Sequence, residues 1–393
     1  TFTTEFAATP QTQVVSGAQT QEIGRWKFIS AYDTYTIQEI KIDPDKNTSP
    51  GTTDNAEDVI ISLSLKDGDT VLATESFNNV DTSGSTGGYY FTGLIIPVAA
   101  STTKTLTVVA NLTIPSTTAG NSGLRIIPAL TYVKYMNPQG TVAEITDSTG
   151  DLYEANSSYV YRTIPALSLA STTINNTLAN GQVSDLYKFT VTAPSYGDVY
   201  IKQFKLSLTW SEGGTDDEME LESLKLIKGI DDITGSVTIT DEDAGTSAES
   251  TSGVTEDASQ IVVVWDGNTQ DTIAAGSSVT YTLRGTPQEF RLDGATDTAS
   301  DSVSLAFTPD AADVTFGSTT VDYIGFLNTD STAQIGSIMS LFTSATASTS
   351  AENANLIWSD GSAVAHSAST TAGTGDWTSS FLFPTLPSVT WTK

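Results

Sequence analysis

Residues 185–208 read DLYKFTVTAPSYGDVYIKQFKLSL, and this stretch decides the fold. Apolar and polar residues alternate on both sides of a short polar turn, which is typical of two adjacent β-strands. Residues 24–42, GRWKFISAYDTYTIQEIKI, show the same pattern nearer the N-terminus. An internal repeat of this kind predicts two similar β-domains in tandem. A Lys-Phe pair opens the alternation in each copy, at Lys27-Phe28 and at Lys188-Phe189.

The domain organisation follows from length and from where the pattern restarts. A chain of 393 residues is too long for one sandwich core. Short strands with regularly spaced turns predict an all-β fold of two tandem immunoglobulin-like β-sandwich domains with a C-terminal β extension. Because Ile164-Pro165 interrupts strand pairing, the first domain with its N-terminal arm is predicted at 1–164 and the second at 165–320. Residues 321–393, rich in aromatics, belong either to the second core or to a small third unit.

Local signals refine this picture. Asp-Gly pairs at Asp67, Asp266 and Asp360 predict tight turns, because the glycine supplies the positive φ that such turns need. The one at Asp360 predicts a hairpin. Residues 241–259 are poor in apolar side chains and are predicted to form a long exposed loop. Residues 1–17 are interpreted either as a first edge strand or as an arm that pairs with the open sheet edge of a neighbouring subunit.

The charge limits the kind of partner. There are 46 acidic and 17 basic residues, a formal net charge of -29. Such a surface repels nucleic acid and anionic lipid, which are bound by clustered Lys and Arg. Cysteine is absent, which removes thiolate chemistry and is silent on the compartment. No apolar run approaches the roughly 20 residues of a membrane span. The composition favours an extracellular protein, with Thr1 then lying downstream of a processed segment.

The sequence offers little for catalysis. His366 is the single histidine, and no G-x-S-x-G, phosphate-loop or dinucleotide motif accompanies it. A lone histidine is more often structural than catalytic. Among 46 acidic residues some pair of carboxylates must lie close together, so proximity alone has no specificity for glycoside hydrolysis. We therefore predict that the protein is not an enzyme.

Acidic loops are the candidate cofactor sites. Ca²⁺ takes six to eight oxygen ligands, which loops supply through carboxylates and backbone carbonyls. No EF-hand or nonapeptide pattern occurs, so a solvated acidic surface is the alternative for each loop. Our first candidate for Ca²⁺ ligands is the set Asp216, Asp217, Glu218 and Glu220. Two further clusters are Asp43, Asp45, Asp54, Glu57 and Asp58, and Asp241, Glu242 and Asp243.

Asn-x-Ser/Thr triplets could carry glycan if they are exposed and a glycosylation system is present. Such short triplets also arise by chance in a chain rich in Ser and Thr. They begin at Asn47, Asn111, Asn156 and Asn175.

Three stretches together resemble a known kind of module: KDGDTVLATESF, GLIIPVAASTTKTLTVVANL, and ANLIWSDGSAVAHSAST with DWTSSFLFPTLPS. They are similar to tandem immunoglobulin-like or fibronectin-like modules of large cell-surface proteins of small-genome candidate-phylum bacteria. The resemblance touches most of the chain and rests on strand and turn signals. It implies a structural role in a surface layer or appendage, and it carries over no catalytic residue.

The leading hypothesis is an extracellular structural protein that assembles with copies of itself into a cell-surface layer or filament. Arm exchange by residues 1–17 or by residues 376–393 is the predicted contact between copies. The alternative is an adhesin or carbohydrate-binding surface module. It would use aromatic rings as stacking platforms, namely Trp358, Trp377 and Trp391, although such rings more often lie in cores or subunit contacts.

Overall fold

The computed structural model describes the following residues: 1–7, 13–17, 19–44, 56–80, 87–115, 123–147, 153–170, 175–213, 219–241, 246–247, 253–256, 258–292, 299–310, 313–316, 319–322, 354–363, 365–369, 374 and 376–393. The chain divides into two compact units, Thr1–Arg162 and Thr163–Lys393. Each unit is described by itself below. The boundaries at 164/165 and 320/321 stay predictions.

The described part of the first unit holds one turn of 3₁₀-helix at Ala56–Asp58 and these strands: β1 Phe2–Phe6, β2 Gln13–Ser16, β3 Thr20–Ser30, β4 Tyr35–Asp43, β5 Ile60–Asp67, β6 Thr70–Glu75, β7 Asn79–Val80, β8 Gly87–Phe91, β9 Ile96–Val98, β10 Thr102–Leu112, β11 Leu124–Ile126, β12 Ala129–Met136, β13 Val142–Thr146 and β14 Ser158–Tyr161.

The described part of the second unit holds one turn of 3₁₀-helix at Thr234–Ser236 and these strands: β15 Ala166–Leu169, β16 Asn175–Thr177, β17 Ser184–Thr192, β18 Val199–Ser211, β19 Glu220–Lys228, β20 Asp231–Asp232, β21 Val237–Asp241, β22 Thr246–Ser247, β23 Val254–Thr255, β24 Gln260–Trp265, β25 Asp271–Ile273, β26 Ser278–Gln288, β27 Ser302–Ala306, β28 Asp313–Phe316, β29 Thr319–Asp322, β30 Leu356–Ser359, β31 Trp377–Thr378 and β32 Val389–Thr392.

The two units share the strand order of one sheet. In the first unit this order is β1-β3-β10-β5-β6, and in the second it is β15-β17-β26-β19-β20. The Lys-Phe pairs of the sequence repeat lie on β3 and β17, which hold the same place in the two sheets. In each unit, a short strand that precedes the third strand of this order pairs with a strand of another sheet. In the first unit β9 pairs with β4, and in the second β25 pairs with β18. The predicted all-β sandwich fold is confirmed.

The first core lies between sheets whose strands alternate inward-facing apolar and outward-facing polar side chains. On β3, Trp26 and Phe28 point inward and are 1% exposed, while Lys27 between them points outward. Ile40 on β4 and Tyr89 on β8, in another sheet, belong to the same buried cluster. Gly24 gives the indole room, because a Cβ at that position would lie 2.4 Å from Cη2 of Trp26. The period-two pattern thus builds the core directly.

The second core is an aromatic cluster. Phe189 lies 5.1 Å from Phe204 between ring centroids, and Tyr281 lies 5.8 Å from Trp265. These pairs join the sheet that contains β17 and β26 to the sheet that contains β18 and β24. The latter sheet is extended by a C-terminal segment, the described part of residues 354–393, whose strands β30 and β32 pair with β18 and β27. Strand β18 is consequently buried on both faces over most of its length.

Two local expectations need correction. Residues 241–259 are not simply an exposed loop, because Val254 is fully buried and β23 pairs with β19. A tight hairpin at Asp360 is also wrong. Gly361 does have a positive φ of 61°, but β30 pairs with β31, which begins only at Trp377. Two of the residues between these strands, His366 and Asp376, pair with each other.

Candidate functional site: the C-terminal cluster and the two chain ends

The proposed calcium ligands can be placed only in part. Asp216, Asp217 and Glu218 lie outside the described residues. Glu220 is the first residue of β19, paired with Thr255 and Gln288. Within the part of the chain that the structure describes, no group of three or more His, Cys, Asp or Glu residues could hold a metal ion. The calcium site therefore stays a prediction.

The other candidate loops and glycosylation positions are also covered unevenly. Asp45, Asp54, Glu242, Asp243 and Asn47 lie outside the described residues. Asp43 is buried at the end of β4. Asn111 lies on β10 between β3 and β5, where it is half-buried, and Asn156 is likewise half-buried. Asn175 begins β16. Modification at these positions is untested.

The tryptophans proposed as stacking platforms do not form an exposed surface. Trp358 is fully buried and Trp377 is 3% exposed. Their indole nitrogens donate to the carbonyls of Ser379 and Ser367, each at 2.8 Å. Trp391 is half-buried and donates to the carbonyl of Leu186 at 2.8 Å. The platform hypothesis is wrong for Trp358 and Trp377, since both rings are buried within the second unit.

One carboxylate holds the C-terminal segment in place. Asp310, which follows β27, is 8% exposed and accepts hydrogen bonds from the backbone of Asn355 at 2.6 Å and of Leu356 at 3.4 Å. It also accepts from Ser380, at 2.9 Å from the backbone nitrogen and 2.6 Å from the hydroxyl. Burial raises the pKa of Asp310, although these hydrogen bonds lower it. The four donors therefore replace only part of the lost hydration.

His366 is held in a second cluster on the same segment. Its ring lies between Tyr200 and Trp377, with centroid separations of 4.4 and 5.0 Å. Its Nδ1 is 2.8 Å from Oδ2 of Asp376, which is almost fully buried. The Thr374 hydroxyl donates to the other Asp376 oxygen at 2.5 Å. Sequence reasoning missed this pairing, because the two residues are ten positions apart and no motif links them.

The orientation of His366 suits a structural role. In a hydrolytic triad, Nδ1 faces the acid and Nε2 faces a nucleophilic hydroxyl. Here Nε2 is buried and has no hydrogen-bond partner among the described residues. The nearby Thr374 hydroxyl lies 3.5 Å from Nδ1 instead. The cluster therefore joins residues 365–369 to β31, as expected for a histidine used in packing.

We expect Asp376→Asn to remove an acid-sensitive part of the stability of this unit. Burial raises the pKa of Asp376, but His366, Thr374 and the Ala363 backbone together hold it below its ordinary value of 3.8. A lowered carboxylate pKa stabilises the fold above the ordinary value, and this stability is lost as pH falls through the folded-state value. The variant should be weaker by about 1–3 kcal/mol near neutral pH and equal to the parent in strong acid. Urea midpoints at the two pH values measure this.

The control is Asp231→Asn, because Asp231 is exposed in the short β19–β20 turn region. Its midpoint should follow that of the parent at both pH values. A loss for Asp376→Asn that is the same in acid and at neutral pH would contradict the account, since it would not depend on the charge.

A tyrosine and carboxylate ladder lies on the outer face of the first unit. Tyr90 on β8 donates to Glu39 on β4, and Lys134 on β12 pairs with the same carboxylate at 2.9 Å. Tyr132 donates to Glu144 at 2.8 Å. The two rings meet edge to face at 5.9 Å. Burial and the Glu39 carboxylate raise the pKa of Tyr90 to about 12, so its hydroxyl remains a donor.

The chain begins and ends at opposite poles of the first unit. At the N-terminal pole, Ala31 donates to the carbonyl of Thr1 at 3.0 Å, next to the end of β3. At the C-terminal pole, Gly17 donates to the carbonyl of Tyr161 at 2.8 Å, near the start of β3. The two poles are separated by the length of β3, about 35 Å for its 11 residues at roughly 3.3 Å each.

The second unit has the same polarity. At its N-terminal pole, Thr163 donates to the carbonyl of Asp198 at 3.1 Å, close to the start of β26. At its C-terminal pole, the backbone amide of Lys393 donates to the carbonyl of Asp301 at 2.9 Å. The backbone amide of Asp301 in turn donates to the carbonyl of Arg291, which lies beyond the end of β26. In each unit, therefore, the chain passes from one end of the long strands to the other.

No protein family model and no curated protein sequence matches the chain. Among solved structures, it is similar to the C-terminal domain of the AgI/II polypeptide BspA of Streptococcus agalactiae, at 9% identity and a TM-score of 0.21, covering 82% of this chain and 97% of that one. It is also similar to BcpA, the major pilin subunit of Bacillus cereus, at 9% identity and a TM-score of 0.20, covering 82% and 63%.

A third similar structure is CBD12 from CALX1.2, at 8% identity and a TM-score of 0.25, covering 77% of this chain and 78% of that one. TM-scores of this size carry no argument about function. Within the described residues, no helix is both long and apolar enough to cross a bilayer.

Proposed function

We propose that this protein is an extracellular structural subunit that assembles with copies of itself into a surface layer or filament. The observation that carries the proposal is the polarity of each unit, whose chain ends lie at opposite poles of the long strands. A sandwich of this kind spans a distance along its strands, whereas a unit with adjacent ends does not. No described feature is arranged for chemistry on a substrate, and the His366 cluster is occupied with packing.

Open sheet edges supply a means of assembly. In the described part of the first unit, β6 and β13 end their sheets. Each carries an exposed valine, Val71 or Val142. An open edge can receive a strand from another molecule unless it is covered or charged. The net charge of -29 opposes association, so assembly should require salt or divalent cations to screen the repulsion.

Arm exchange would have to break strand pairs that form within each unit. Residues 1–7 and 13–17 are paired within their own unit, where β1 lies on β3 and β2 lies on β14. The tail is paired in the same way, with β31 on β30 and β32 on β27. Exchange would require these strands to leave their own sheets first. Deleting them would damage the fold itself, so truncation is an unsuitable test.

A reversible lock tests the mechanism instead. Glu5 and Lys27 are direct partners in the antiparallel β1–β3 pair, and the chain has no other cysteine to interfere. Partners in such pairs have Cα separations of roughly 4.5–5.5 Å, within disulfide range. We expect the parent to sediment as large assemblies in Ca²⁺ and as monomer in chelator. The oxidised Glu5→Cys/Lys27→Cys variant should assemble only after reduction if β1 is exchanged.

If the oxidised variant assembles like the parent, β1 exchange is wrong and edge pairing without exchange remains. A parent that stays monomeric in Ca²⁺ at high concentration contradicts the assembly proposal itself. The reduced variant is the matched control, because it carries both substitutions without the cross-link.

We further propose that Ca²⁺ binds the acidic residues at 216–222. Clustered carboxylates repel one another unless a cation neutralises them, and a ligand bound only by the folded state stabilises it by about 2.7 kcal/mol at 100 times its dissociation constant. The melting temperature should therefore rise in Ca²⁺ relative to chelator at matched ionic strength. In Asp216→Asn/Asp217→Asn/Glu218→Gln the rise should vanish. Coincident melting curves for the parent would refute the site.

The second candidate function is a glycan-binding surface module. Since Trp358 and Trp377 are buried, the rings favoured for stacking are now Tyr90 and Tyr132, which are half-buried on the outer face of a sheet beside Glu39 and Glu144. Sheet-borne tyrosines with carboxylates nearby suit a sugar face. Glycan-array binding by a monomeric parent, lost in Tyr132→Ala, would favour this function over assembly.

A further inference from the structure

We propose that each unit contains a mechanical clamp, formed by parallel pairing of an early strand with the last strand, which resists tension applied to the chain ends. This inference rests on the proposed structural function. It adds a property that assembly does not require, namely resistance to lengthwise force. The clamp of the first unit is β2 with β14, and that of the second is β16 with β32.

The first clamp joins segments almost 150 residues apart. Strand β2 pairs in parallel with β14, from Gln13 opposite Ser158 to Ser16 opposite Tyr161. The hydrogen bond from Gly17 to Tyr161 continues this pairing at the C-terminal pole. Strand β14 lies between β2 and β11, and all four of its residues are buried. The last strand is thus a central strand and not a loose end.

The second clamp repeats this arrangement. Strand β16 pairs in parallel with β32, from Asn175 opposite Thr390 to Thr177 opposite Thr392. Leu178 then donates to the carbonyl of Thr392 at 2.9 Å. Strand β32 also pairs antiparallel with β27 on its other side, so it too lies between two neighbours. The sequence repeat around Lys27 and Lys188 did not reveal the clamps, because their strands lie outside it.

The direction of force decides how such a pair fails. Tension at opposite poles pulls the two parallel strands of a clamp lengthwise past each other. All of their backbone hydrogen bonds are then loaded together, and none can break first at low force. When force acts across the strands at one pole, it opens the bonds one after another. Lengthwise loading requires that the chain ends lie at opposite poles and that the terminal strands pair in parallel. Each unit meets the two requirements.

Side chains fasten the outermost strands to their sheets. Phe2 on β1 is buried and lies 4.3 Å from the ring of Tyr135 and 5.4 Å from that of Tyr35. On β32, Trp391 donates to the Leu186 carbonyl, and the Thr390 hydroxyl lies 2.7 Å from that of Ser304. Aromatic packing and these bonds oppose sliding in addition to the backbone pairing.

The first test compares two pulling directions on the same full-length chain. Because the protein has no cysteine, a single introduced one is a unique attachment point. Pulling between the two chain ends loads both clamps lengthwise. Pulling between the N-terminus and Ala100→Cys uses only the N-terminal pole of the first unit, since Ala100 is exposed beside Ser101, whose hydroxyl contacts Ala31. We expect a clearly higher unfolding force end to end.

The second test removes one clamp at a time. A proline within a paired strand removes a hydrogen bond and strains its neighbours. Val15→Pro should raise the unfolding rate under fixed force roughly tenfold or more for one of the two unfolding events, and Asn176→Pro for the other. Ala143→Pro is the matched control, because it places the same change on edge strand β13, which takes no part in a clamp.

Equal unfolding forces in the two pulling directions would overturn the proposal, as would an Ala143→Pro effect as large as that of Val15→Pro. If Val15→Pro prevents the first unit from folding, the comparison of directions still decides the question with the parent alone. Failure of the clamp and failure of assembly are separable. Force is measured on single molecules, whereas assembly is measured by sedimentation of the same chain.

Discussion

Replacing Lys202 with methionine is expected to lower the free energy of unfolding of the second unit by about 3–5 kcal/mol. Lys202 lies on β18 and is fully buried. Its ammonium donates to three backbone carbonyls of the turn between β24 and β25, those of Trp265 and Gly267 at 2.7 Å and that of Thr269 at 2.8 Å. Methionine has similar length but no donor. The three carbonyls, of which that of Trp265 is buried, would lose their shared donor at once.

The same residue gives a pH signature. Burial lowers the pKa of Lys202 to about 8, while Asp266 opposes the shift, so the ammonium is charged at neutral pH. Because this value lies below the ordinary 10.5, the unfolded chain holds the proton more tightly between these values. The Lys202 contribution to unfolding free energy should rise with pH in that window, by at most about 1.4 kcal/mol per unit. A neutral amine still serves two of the carbonyls.

Urea unfolding of the parent and of Lys202→Met at pH values across this window measures both effects. Lys225→Met is the control, because Lys225 on β19 is half exposed and pairs with an exposed Asp232. Exposed pairs contribute about 0–1 kcal/mol. Equal midpoints for Lys202→Met and Lys225→Met would show that the turn between β24 and β25 does not depend on the Lys202 ammonium.

Replacing Asp310 with asparagine is expected to lower the free energy of unfolding by about 2–4 kcal/mol. The carboxylate accepts four hydrogen bonds, from the backbone amides of Asn355, Leu356 and Ser380 and from the Ser380 hydroxyl, so every group that faces it is a donor. An asparagine must turn its NH₂ group toward some of them, which places donor against donor. The loss should fall mainly on the docking of residues 354–359 and 376–380 against β18.

Hydrogen exchange locates this effect. The amides of β30 and β31 should lose protection in Asp310→Asn, while those of β3 and β10 in the first unit should not change. Asp231→Asn again serves as the control. Uniform loss of protection across both units would contradict a role for Asp310 confined to the C-terminal segment.

The sequence repeat predicted the part of the fold that depends on alternation. Phe28 and Phe189 are buried on strands that hold the same place in their sheets, as the Lys-Phe pairs indicated. The turns at Asp67-Gly68 and Asp266-Gly267 were also predicted correctly, with φ of 58° and 52° at the glycines. These features depend on a few adjacent residues, so a local pattern is enough to specify them.

Features that depend on distant residues were not predictable in this way. Gln203 is a polar residue in an alternating stretch and would be assigned to the solvent-facing side. In the structure, the segment that begins at Ala354 covers it, and the Gln203 amide donates to the Ala354 carbonyl at 2.7 Å across 151 positions. The same covering buries Trp358 and Trp377, whose rings looked available from sequence. No local pattern records which face a later segment will cover.

The central claim is that this chain is a structural subunit that assembles with copies of itself. Negative-stain electron microscopy of the purified full-length chain, concentrated in Ca²⁺ and then returned to chelator, tests it most directly. The account predicts filaments or sheets with a regular repeat in Ca²⁺, which disperse as Ca²⁺ is removed. Single particles of monomer size in both conditions would contradict it.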